Sequence, residues 1–420
     1  MSSKTYTKPP GIEDIFPDKI AAWNFVLNTA KDVFNIYNFK ELVIPIFEFT
    51  DVFIRGIGTE TDIVSKEMFS FEDRGGRSLT LRPEGTAGVV RAYVENGEYN
   101  RLSIAKFFYS GPMFRAERPQ KGRLRQFNQL GAETFGSINP FYDFEIISMM
   151  DALAKRLGIS DYVLLINSIG CPECRINYIS ELKKYYAVNK DDLCEDCRKR
   201  LERNPLRLLD CKNERCVELK IKAPRITNFI CKPCADHYSM LKGFLNDNNI
   251  RFNEDPLLVR GLDYYTKSTF EFVSKGLGGQ NAFAAGGRYD NLVETFGGKP
   301  TPAVGFAAGI ERILLLLDES KINQKPLDIF LIHSGEGGLK KAFEILNILR
   351  TNNLSADMEP EPGSFKSQFK KADRENAKYT VIIGDDEIKS NSIALKNMGN
   401  GQQENIAGEK IIQHLKSVLK

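Results

Sequence analysis

The stretch IAKFFYSGPMFRAERPQKGRLRQFNQLGAETF, residues 104–135, decides the fold of this 420-residue chain. Its ends, residues 104–115 and 125–135, are rich in aromatic and apolar side chains, whereas the middle is polar and contains Pro119 and Gly122. Two apolar runs joined by a polar, turn-forming loop are typical of an antiparallel strand pair. The sequence therefore predicts a long β-hairpin here.

Basic residues concentrate around the loop of this hairpin. Five of them stand against one acid, Glu117; they are Arg115, Arg118, Lys121, Arg123 and Arg125. Guanidinium groups are planar forks that bind phosphate oxygens through two hydrogen bonds, so arginines at strand ends would form a triphosphate cradle. Phe127 could add a stacking face. The alternative is a solvated hairpin tip, since most charge runs are exposed.

The composition is that of a soluble globular chain. Hydrophobic residues make up 42% and charged residues 27%, which excludes collagen-like, low-complexity and disordered proteins. A formal net charge of +3 excludes a global basic field, so any polyanion contact must be local. No apolar signal core or run of 18 apolar residues occurs. We therefore predict a cytoplasmic protein that does not span a membrane.

Apolar periodicity predicts helices before and after the hairpin, over residues 20–37 and 141–157. The apolar face of the first helix comprises Ile20, Trp23, Leu27, Ala30, Phe34 and Tyr37. The following run, Phe39–Phe47, is strand-like but contains Pro45, which cannot donate to a ladder. It is predicted to be an edge strand or a strand at a subunit boundary.

The rest of the chain divides into an insertion, a returning core and a terminal domain. An apolar strand at 163–168 leads into a cysteine-rich module, and strand patterns return near Leu257, so the module is predicted to be an insertion. The strand AVGFAAG and helix IERILLLL (303–317) precede a predicted linker, Asn323–Pro326. Beyond it, alternation predicts a small α/β domain with strands at 327–333, 354–358 and 379–384 and helices at 338–351, 364–377 and 408–419.

All eight cysteines lie between residues 171 and 234, in four pairs: Cys171 and Cys174, Cys194 and Cys197, Cys211 and Cys216, Cys231 and Cys234. C-x-x-C knuckles place two sulfurs within reach of one tetrahedral zinc, so four pairs could supply two all-sulfur sites with no position left for substrate. This spacing indicates structural zinc, and the alternative is a redox or disulfide function. Residues 198–225 also carry ten Lys or Arg against four Asp or Glu, which makes the insertion a candidate nucleic-acid arm.

The two commonest phosphate-binding loops, G-x-x-x-x-G-K-[ST] and G-x-G-x-x-G after a strand, do not occur. The three histidines, His237, His333 and His414, are far apart in the sequence and belong to no motif. A catalytic histidine base or a His-rich catalytic metal site is therefore not indicated. The chemistry is therefore predicted to run without a protein imidazole.

Two carboxylates are candidates for a substrate pocket. Glu84 lies in the turn LRPEGTAG (81–88), and strand alternation puts Glu133 on the same face as Gln129. Two such acids would suit a substrate with an ammonium group and a second polar nitrogen. The alternatives are a surface turn for Glu84 and an exposed strand residue for Glu133.

Two further stretches place charge beside tyrosines. VRGLDYYTKSTFEF (259–272) puts Arg260 into a strand-like run, where it could instead pair with Asp263 or a neighbouring acid. The glycine cluster GLGGQNAFAAGGRYD (276–290) leaves Arg288 and Tyr289 at the tip of a predicted strand.

Taken together, these motifs resemble those of one family. GPMFRAERPQKGRLRQFNQLGAE (111–133) resembles the second motif of class II aminoacyl-tRNA synthetases, and AVGFAAGIERILLLL resembles the third. VRGLDYY and AGGRYD look like the two histidine-specific motifs of histidyl-tRNA synthetases. The similarity extends over nearly the whole chain, with LRPEGTAG and the terminal α/β domain included. The chain is thus identified as a member of the histidyl-tRNA synthetase family.

The resemblance implies an α+β fold: a class II antiparallel sheet with flanking helices, a Cys-rich insertion domain and a C-terminal α/β anticodon-binding domain. On this chain the catalytic core would occupy residues 1–168 and 251–322, the Cys-rich domain 169–250, and the anticodon-binding domain 326–420. The motif-one helix and the strand with Pro45 imply a homodimer.

The resemblance also implies a role for each matching residue. Arg115 would bind the α-phosphate of ATP, Arg312 the far phosphates or adenine face, and Phe127 would stack on adenine. Arg260 would take the α-phosphate position that a metal ion occupies in related enzymes. The residues for L-histidine would be Glu84, Thr86 and Gln129 at the α-amino group, and Glu133, Tyr265 and Tyr289 at the imidazole, with Tyr264 beside them.

The reaction implied is activation of histidine with ATP and its transfer to tRNA(His). The substrate carboxylate is already ionised at neutral pH and attacks the α-phosphorus itself, so the protein must only align the partners and neutralise phosphate charge. Mg²⁺ would accompany ATP. The sequence departs from the family pattern at Ala116, where His or Tyr is frequent, and at Asn128, where His is usual. These departures bear on adenine or acceptor-end contacts.

Two other functions remain as alternatives. One is a synthetase-like regulatory subunit of histidine biosynthesis that no longer charges tRNA, which the retained Arg115, Arg260, Arg312 and terminal domain disfavour. The other is a non-catalytic, zinc-dependent nucleic-acid-binding protein, which leaves the arginine hairpin and the glycine turns unexplained.

Overall fold

A computed structural model describes residues 5–59, 61–278, 281–318, 320, 322 and 326–419, and the chain divides into two compact units between residues 322 and 323. The division falls at the start of the predicted linker, whose residues 323–325 lie outside the described residues, as do Gly279 and Gln280 of the glycine cluster. No helix among the described residues combines the length and the apolar character needed to cross a bilayer.

The first unit is built on a large sheet with helices. Its strands are β1 Lys40–Glu41, β2 Phe47–Phe49, β3 Phe69–Glu72, β4 Ser78–Leu81, β5 Ala105–Phe114, β6 Gln126–Phe135, β7 Val163–Ser168, β8 Phe252–Glu254, β9 Thr266–Val273, β10 Ala282–Arg288 and β11 Ala303–Gly309. Its helices are α1 Pro17–Ile36, α2 Thr50–Ile57, α3 Thr86–Glu95, α4 Phe141–Arg156, α5 Pro172–Val188, α6 Glu195–Arg203, α7 Glu214–Lys222, α8 Lys232–Asp247, α9 Leu292–Thr295 and α10 Ile310–Leu314.

The predicted hairpin forms and lies inside the large sheet. Strands β5 and β6 pair antiparallel over their full ten residues, with Phe107 opposite Glu133 and Met113 opposite Phe127. The eight strands run in the order β1-β5-β6-β11-β10-β9-β7-β8, antiparallel except for the parallel pairs β1 with β5 and β7 with β8 at the two edges. The hairpin prediction is therefore confirmed, and a separate three-stranded sheet, β2-β4-β3, stands beside the large one.

Helix α1 forms as predicted, but its buried face is rotated. The structure buries Ala22, Val26, Ala30, Val33 and Phe34, whereas Ile20 is exposed. The larger side chains of the predicted face, Trp23 and Leu27, pack only partly against the core. The buried face is shifted toward Ala22, Val26 and Val33, and only Ala30 and Phe34 of the predicted face are buried.

The predicted edge strand is much shorter than the apolar run suggested. Only Lys40 and Glu41 join the sheet, through β1 at its edge, and Pro45 lies outside any strand. The carbonyl oxygens of Ile44 and Pro45 instead accept hydrogen bonds from Nη1 of the buried Arg82, over 2.7 and 3.2 Å. A buried guanidinium therefore replaces the ladder that proline cannot complete.

Helix α10 ends three residues before the end of the predicted run IERILLLL. Leu316 and Leu317 follow it in a turn, yet both pack against the core. The apolar run continues past the helix because these leucines pack against the core. Sequence periodicity alone cannot tell such packed turn residues from a further turn of helix.

One aromatic ring fixes the turn 81–88 against the hairpin. Tyr109 of β5 is buried between two glycines, Gly85 of the turn and Gly131 of β6. A β-carbon at either glycine would lie 2.1 or 2.2 Å from the ring. Only glycine permits this approach, so the turn with Glu84 is held close to the strand with Glu133.

Arg288 at the end of β10 is a structural residue. Its guanidinium is fully buried and forms an ion pair with Asp143 of α4, and its Nη1 lies 3.1 Å from Asp290. Although burial alone would raise the pKa of Asp143, Arg288 and His237 keep that pKa well below its usual range. The pair joins α4 to β10 immediately before Tyr289 in the chain.

The cysteine-rich helices α5 to α8 lie in the chain between β7 and β8. These two strands are neighbours in the sheet, with Leu164 opposite Phe252. The chain therefore leaves the sheet and returns to it at adjacent positions, as expected for an inserted module.

The second unit is an α/β layer around a five-stranded sheet in the order β13-β12-β14-β15-β16. Its strands are β12 Ile329–His333, β13 Ala356–Met358, β14 Tyr379–Ile383, β15 Ser392–Asn397 and β16 Gln403–Ala407. Its helices are α11 Gly335–Thr351, α12 Phe365–Arg374, α13 Asp385–Ser390 and α14 Ile411–Val418. The predicted alternation is confirmed up to β14, and the predicted closing helix forms as α14. The prediction missed α13 and the β15–β16 hairpin, although Asn400 and Gly401 supply a turn signal between those strands.

Candidate active site

A cavity of about 940 Å³ opens in the first unit, and most of the predicted site residues line it. Of the eleven residues predicted to bind ATP or histidine, nine line the cavity: Glu84, Thr86, Arg115, Phe127, Gln129, Arg260, Tyr264, Tyr265 and Arg312. They come from the turn before α3, the hairpin, the segment before β9 and the helix α10. The other two, Glu133 and Tyr289, are buried and do not line this cavity.

Two of the arginines are held by main-chain carbonyl groups at the cavity wall. Arg115 Nε donates a hydrogen bond to Pro83 O over 2.9 Å, and its guanidinium lies 5.2 Å from the centre of the Phe127 ring. Arg312 donates from Nε to Gly122 O over 2.9 Å and from Nη1 to Ala282 O over 2.5 Å. These contacts fix both side chains while leaving charge directed into the cavity.

The arginines also repel one another. Burial lowers the pKa of Arg312, and the nearby positive charges of Arg123 and Arg115 lower it further. A bound polyanion would relieve this repulsion between guanidinium groups.

Arg260 pairs with an acid, as the structural alternative expected, yet it faces the cavity. Its Nη1 donates to Glu271, not to Asp263, and its guanidinium lies 5.8 Å from the centre of the Tyr265 ring. Both Arg260 and Glu271 line the cavity. The pairing therefore orients the guanidinium rather than removing it from the site.

The two candidate acids are buried, so the surface alternatives were wrong for both. Glu84 accepts hydrogen bonds from the main-chain N–H groups of Thr86 and Ala87, over 2.7 and 2.8 Å, at the start of α3. Burial raises the pKa of Glu84 although these N–H groups oppose the shift. The helix thus begins on a carboxylate that also borders the cavity.

Glu133 lies one step behind the cavity wall. Its two carboxyl oxygens accept hydrogen bonds from the hydroxyl groups of Thr86, over 2.7 Å, and Tyr289. Burial raises the pKa of Glu133 to about 8, against the effect of these two donors. Thr86 therefore joins this buried acid to the cavity.

Aromatic rings surround the two acids. The ring centres of Tyr264 and Tyr265 are 4.6 Å apart, and those of Tyr264 and Tyr289 are 5.5 Å apart. Tyr109 belongs to the same group, and burial, then Glu133 and Glu84, raise its pKa well above its usual value. Sequence reasoning missed Tyr109, but its register opposite Gly131 in the hairpin was a usable signal.

Glu311 is a second residue that sequence reasoning missed. It accepts hydrogen bonds from the main-chain N–H of Asn128, over 2.9 Å, and from the Asn128 side-chain amide, over 3.0 Å. These bonds tie β6 to α10. The family departure at position 128 thus contributes an amide that binds a carboxylate at the cavity wall.

The basic hairpin loop divides into two parts. Arg115 and Arg123 line the cavity, with Arg123 Nη1 2.7 Å from Glu117, whereas Arg118 and Lys121 are exposed at the tip. The solvated-tip alternative is therefore right for the outer two residues only. At the other family departure, Ala116, the main-chain N–H donates to Glu67 O over 2.8 Å.

The eight cysteines form two groups of four free thiols. The outer cluster is Cys171, Cys174, Cys231 and Cys234, and the inner cluster is Cys194, Cys197, Cys211 and Cys216. Within each group the sulfur atoms all lie within 4.8 Å of one another. Cys171, Cys194 and Cys231 stand immediately before α5, α6 and α8.

The comparison with known families decides what the chain is. The sequence model for "Histidyl-tRNA synthetase" matches residues 11–173 and 224–313, and that for "Anticodon binding domain" matches residues 328–418. The chain belongs to the histidyl-tRNA synthetase family. Within the insertion, residues 174–223, which hold the inner cluster, fall outside the family match.

Full-length relatives agree with this assignment. The chain is similar to the "Histidine--tRNA ligase" of Halothermothrix orenii, with 47% identity over 98% of this chain and 99% of that protein, and to that of Clostridioides difficile, with 44% identity over 98% and 99%. The crystal structure of apo Staphylococcus aureus histidyl-tRNA synthetase superposes with a TM-score of 0.83 and 37% identity, covering 98% of this chain and 100% of that one. The fold is therefore that of the class II synthetases.

The high pKa of Glu133 predicts how stability depends on pH. A carboxyl that binds its proton more tightly in the folded chain stabilises the fold at low pH, and this stabilisation is lost as the pH rises through about 8. A rise from 4.5 to about 8 corresponds to on the order of 5 kcal/mol. Glu133→Gln, which cannot ionise, should therefore gain stability relative to the parent chain between pH 5 and pH 8.5, as measured by urea unfolding midpoints.

The exposed Glu294→Gln serves as the control. The difference in urea unfolding midpoint between Glu294→Gln and the parent chain should be the same throughout that pH range. A flat difference for Glu133→Gln as well would contradict the assignment of a raised pKa to Glu133.

Proposed function

We propose that the protein is a histidine–tRNA ligase that forms histidyl-adenylate from L-histidine and ATP and transfers histidine to the 3′ end of tRNA(His), in the cytoplasm. The observation that carries this proposal is that one cavity gathers the three arginines predicted to bind phosphate and the carboxylate of Glu84 from distant stretches of the chain, with Glu133 behind its wall. The relatives that share 44–47% identity over nearly their full length support it.

Adenylate formation fits a cavity without an imidazole. None of the described residues that line it is a histidine. The ionised carboxylate of the substrate attacks the α-phosphorus of ATP, a P–O bond forms, and pyrophosphate leaves with the electrons of the broken bond. We assign Arg115 and Arg260 to the α-phosphate, Arg312 to the far phosphates or adenine face, and Phe127 to stacking on adenine.

The proposed histidine pocket lies around α3 and the tyrosines. Gln129 presents a buried carbonyl oxygen without a hydrogen-bond partner among the described residues, which suits an ammonium donor. Glu84 and Thr86 would complete the site for the α-amino group. We assign the imidazole to Tyr264 and Tyr265, and to Glu133 and Tyr289 behind them.

Mg²⁺ would enter with ATP and be held mainly by phosphate oxygens. Of the acids at the cavity wall, Glu271 is engaged by Arg260, and Glu311 by Asn128. Mg²⁺ would add positive charge along the triphosphate.

The regulatory alternative is less well supported. The chain retains a second unit after residue 322, and Arg115, Arg260 and Arg312 share one cavity. A structure described as "ATP phosphoribosyltransferase regulatory subunit/histidyl-tRNA synthetase" from Bacillus halodurans C superposes with a TM-score of 0.67 at 20% identity, a likeness that concerns the fold alone.

We propose two structural zinc ions, one in each cysteine cluster. Each cluster offers four free thiols at distances that suit tetrahedral coordination, with no position left over for substrate. Main-chain N–H groups also point at the sulfur atoms, as when Cys231 N donates to Cys174 Sγ over 3.0 Å. Bound zinc would cross-link the insertion.

Domain roles and assembly follow from the same proposal. Residues 169–250 would form the Cys-rich domain, with its basic stretch 198–225 as a tRNA contact, inserted between core segments 1–168 and 251–322. The second unit would bind the anticodon.

The chain would work as a homodimer, because apolar side chains near the sheet edge and in the small sheet are exposed: Val43, Ile46, Phe47, Phe49 and Phe71.

Histidine-dependent exchange of labelled pyrophosphate into ATP tests the activity directly. Arg260→Ala should slow the exchange by ~10² to 10³, because a donor to the transition state is lost. Arg101→Ala, which removes an exposed arginine paired with Glu98, should leave the rate unchanged. Absence of exchange in the folded parent protein with Mg²⁺ would eliminate the ligase proposal, and a near-normal Arg260→Ala rate would remove Arg260 from the mechanism.

Elemental analysis should find two zinc ions per chain, and Cys216→Ser should lose one of them. Because zinc binding would contribute directly to folding of the insertion, chelation should unfold α5 to α8 before the sheet. Hydrogen exchange of the insertion and the sheet measures this order. Metal-free protein with unchanged melting would refute the zinc proposal.

Light scattering should give the mass of two chains, and Val43→Glu should reduce it to one. A charge at this position, 86% exposed in the single chain, would be buried without a partner in a dimer. Val188→Glu, at an equally exposed site on α5, is the control. A parent protein with the mass of one chain would contradict the dimer.

A further inference from the structure

The inner cysteine cluster brackets a segment of chain that borders the cavity. Cys197 and Cys211 belong to one group of sulfurs within 4.8 Å, so both ends of the intervening residues 198–210 are held together. This segment comprises the end of α6 and a 3₁₀ turn, Pro205–Asp210. It carries Arg200 and Arg207, which both line the cavity.

Arg207 joins the segment to two other parts of the cavity wall. Its side chain is nearly buried, at 8% exposure, and its charge is balanced by Asp210, 3.0 Å from Nη1, and by Asp62. Nη2 donates to Asp62 over 3.3 Å, and Arg200 donates to the same carboxylate oxygen over 2.9 Å. Nη1 donates to the main-chain carbonyl of Arg260 over 3.3 Å.

The last contact matters because Arg260 lies outside regular structure. Residues 255–265 run between β8 and β9 without joining a ladder. Glu271 and the Tyr265 ring hold the guanidinium of Arg260, but neither contact fixes its main chain. Arg207 supplies the hydrogen bond to the carbonyl, and the β-carbon position at Gly261 lies 3.3 Å from Arg207 Nη1, so the two segments pack closely.

We propose that Arg207 is a positioning residue for Arg260, and that the inner cysteine cluster acts through it on adenylate formation. The inference rests on the proposed ligase function. Arg207 would not touch ATP or histidine; it would set where the main chain of Arg260 lies. The insertion would then serve the first chemical step as well as any contact with tRNA.

A double-mutant cycle tests whether Arg207 acts through Arg260. Arg207→Gln should lower kcat for pyrophosphate exchange by about 10- to 100-fold, the range expected for a misplaced reacting group, with little change in the KM for histidine. In the Arg260→Ala background it should cause no further loss, because the group that it positions is absent. Arg207→Lys, which keeps the charge and one set of donors, should recover part of the rate.

The matched control is Lys184→Gln. Lys184 belongs to the same insertion, but its ammonium group donates to Glu181 over 2.7 Å, and it does not line the cavity. Its exchange rate should equal that of the parent chain. Losses that add fully between Arg207→Gln and Arg260→Ala, or a normal rate for Arg207→Gln, would overturn the proposal.

Hydrogen exchange of the folded protein tests the link to the cluster without any activity readout. Cys211→Ser and Arg207→Gln should both speed amide exchange within 255–265, whereas Lys184→Gln should not. Faster exchange in Cys211→Ser confined to 198–210 would overturn the link. A parent protein that lacks histidine-dependent exchange would instead refute the ligase function, and the amide measurements would still decide whether the contact operates.

Discussion

The insertion of the Tyr109 ring between two glycine backbones is the contact on which the site depends. The ring leaves no room for a β-carbon at Gly85 or Gly131, so only glycine at both positions lets the turn before α3 pack directly on the hairpin. That approach brings Glu133 directly behind the part of the cavity wall that Glu84 forms, and Thr86 donates hydrogen bonds to both acids. Without it, two acids from stretches 49 residues apart would have no reason to share one environment.

Two opposite electrostatic costs are present in the cavity. Burial and then repulsion from neighbouring guanidinium groups lower the pKa of Arg312. Burial raises the pKa values of Glu84 and Glu133. An anionic nucleotide would relieve the first cost, and a cationic amino-acid substrate the second. The same cavity therefore favours two substrates of opposite charge side by side, which is the arrangement that their joining requires.

Much of this arrangement could be predicted from the sequence, because hydrophobic alternation and motif order are local or linear signals. The hairpin, α4, the cysteine insertion and the early strands of the second unit follow such signals. The assignment of Glu84 and Glu133 by spacing could not reveal their burial, since this depends on Tyr109 filling the space between two distant glycines. The roles of Arg82, Glu311 and Arg207 could not be predicted either, because each binds main-chain groups brought near only by the tertiary fold.

The neighbouring positions of β7 and β8 have a further consequence. The module between them begins and ends beside the same edge of the sheet, so its length does not enter the register of any other strand pair. Residues could be gained or lost there at little entropic cost, since loop closure depends only weakly on length. The architecture thus leaves a place where the length of the chain can change during evolution without altering how the strands of the large sheet pair.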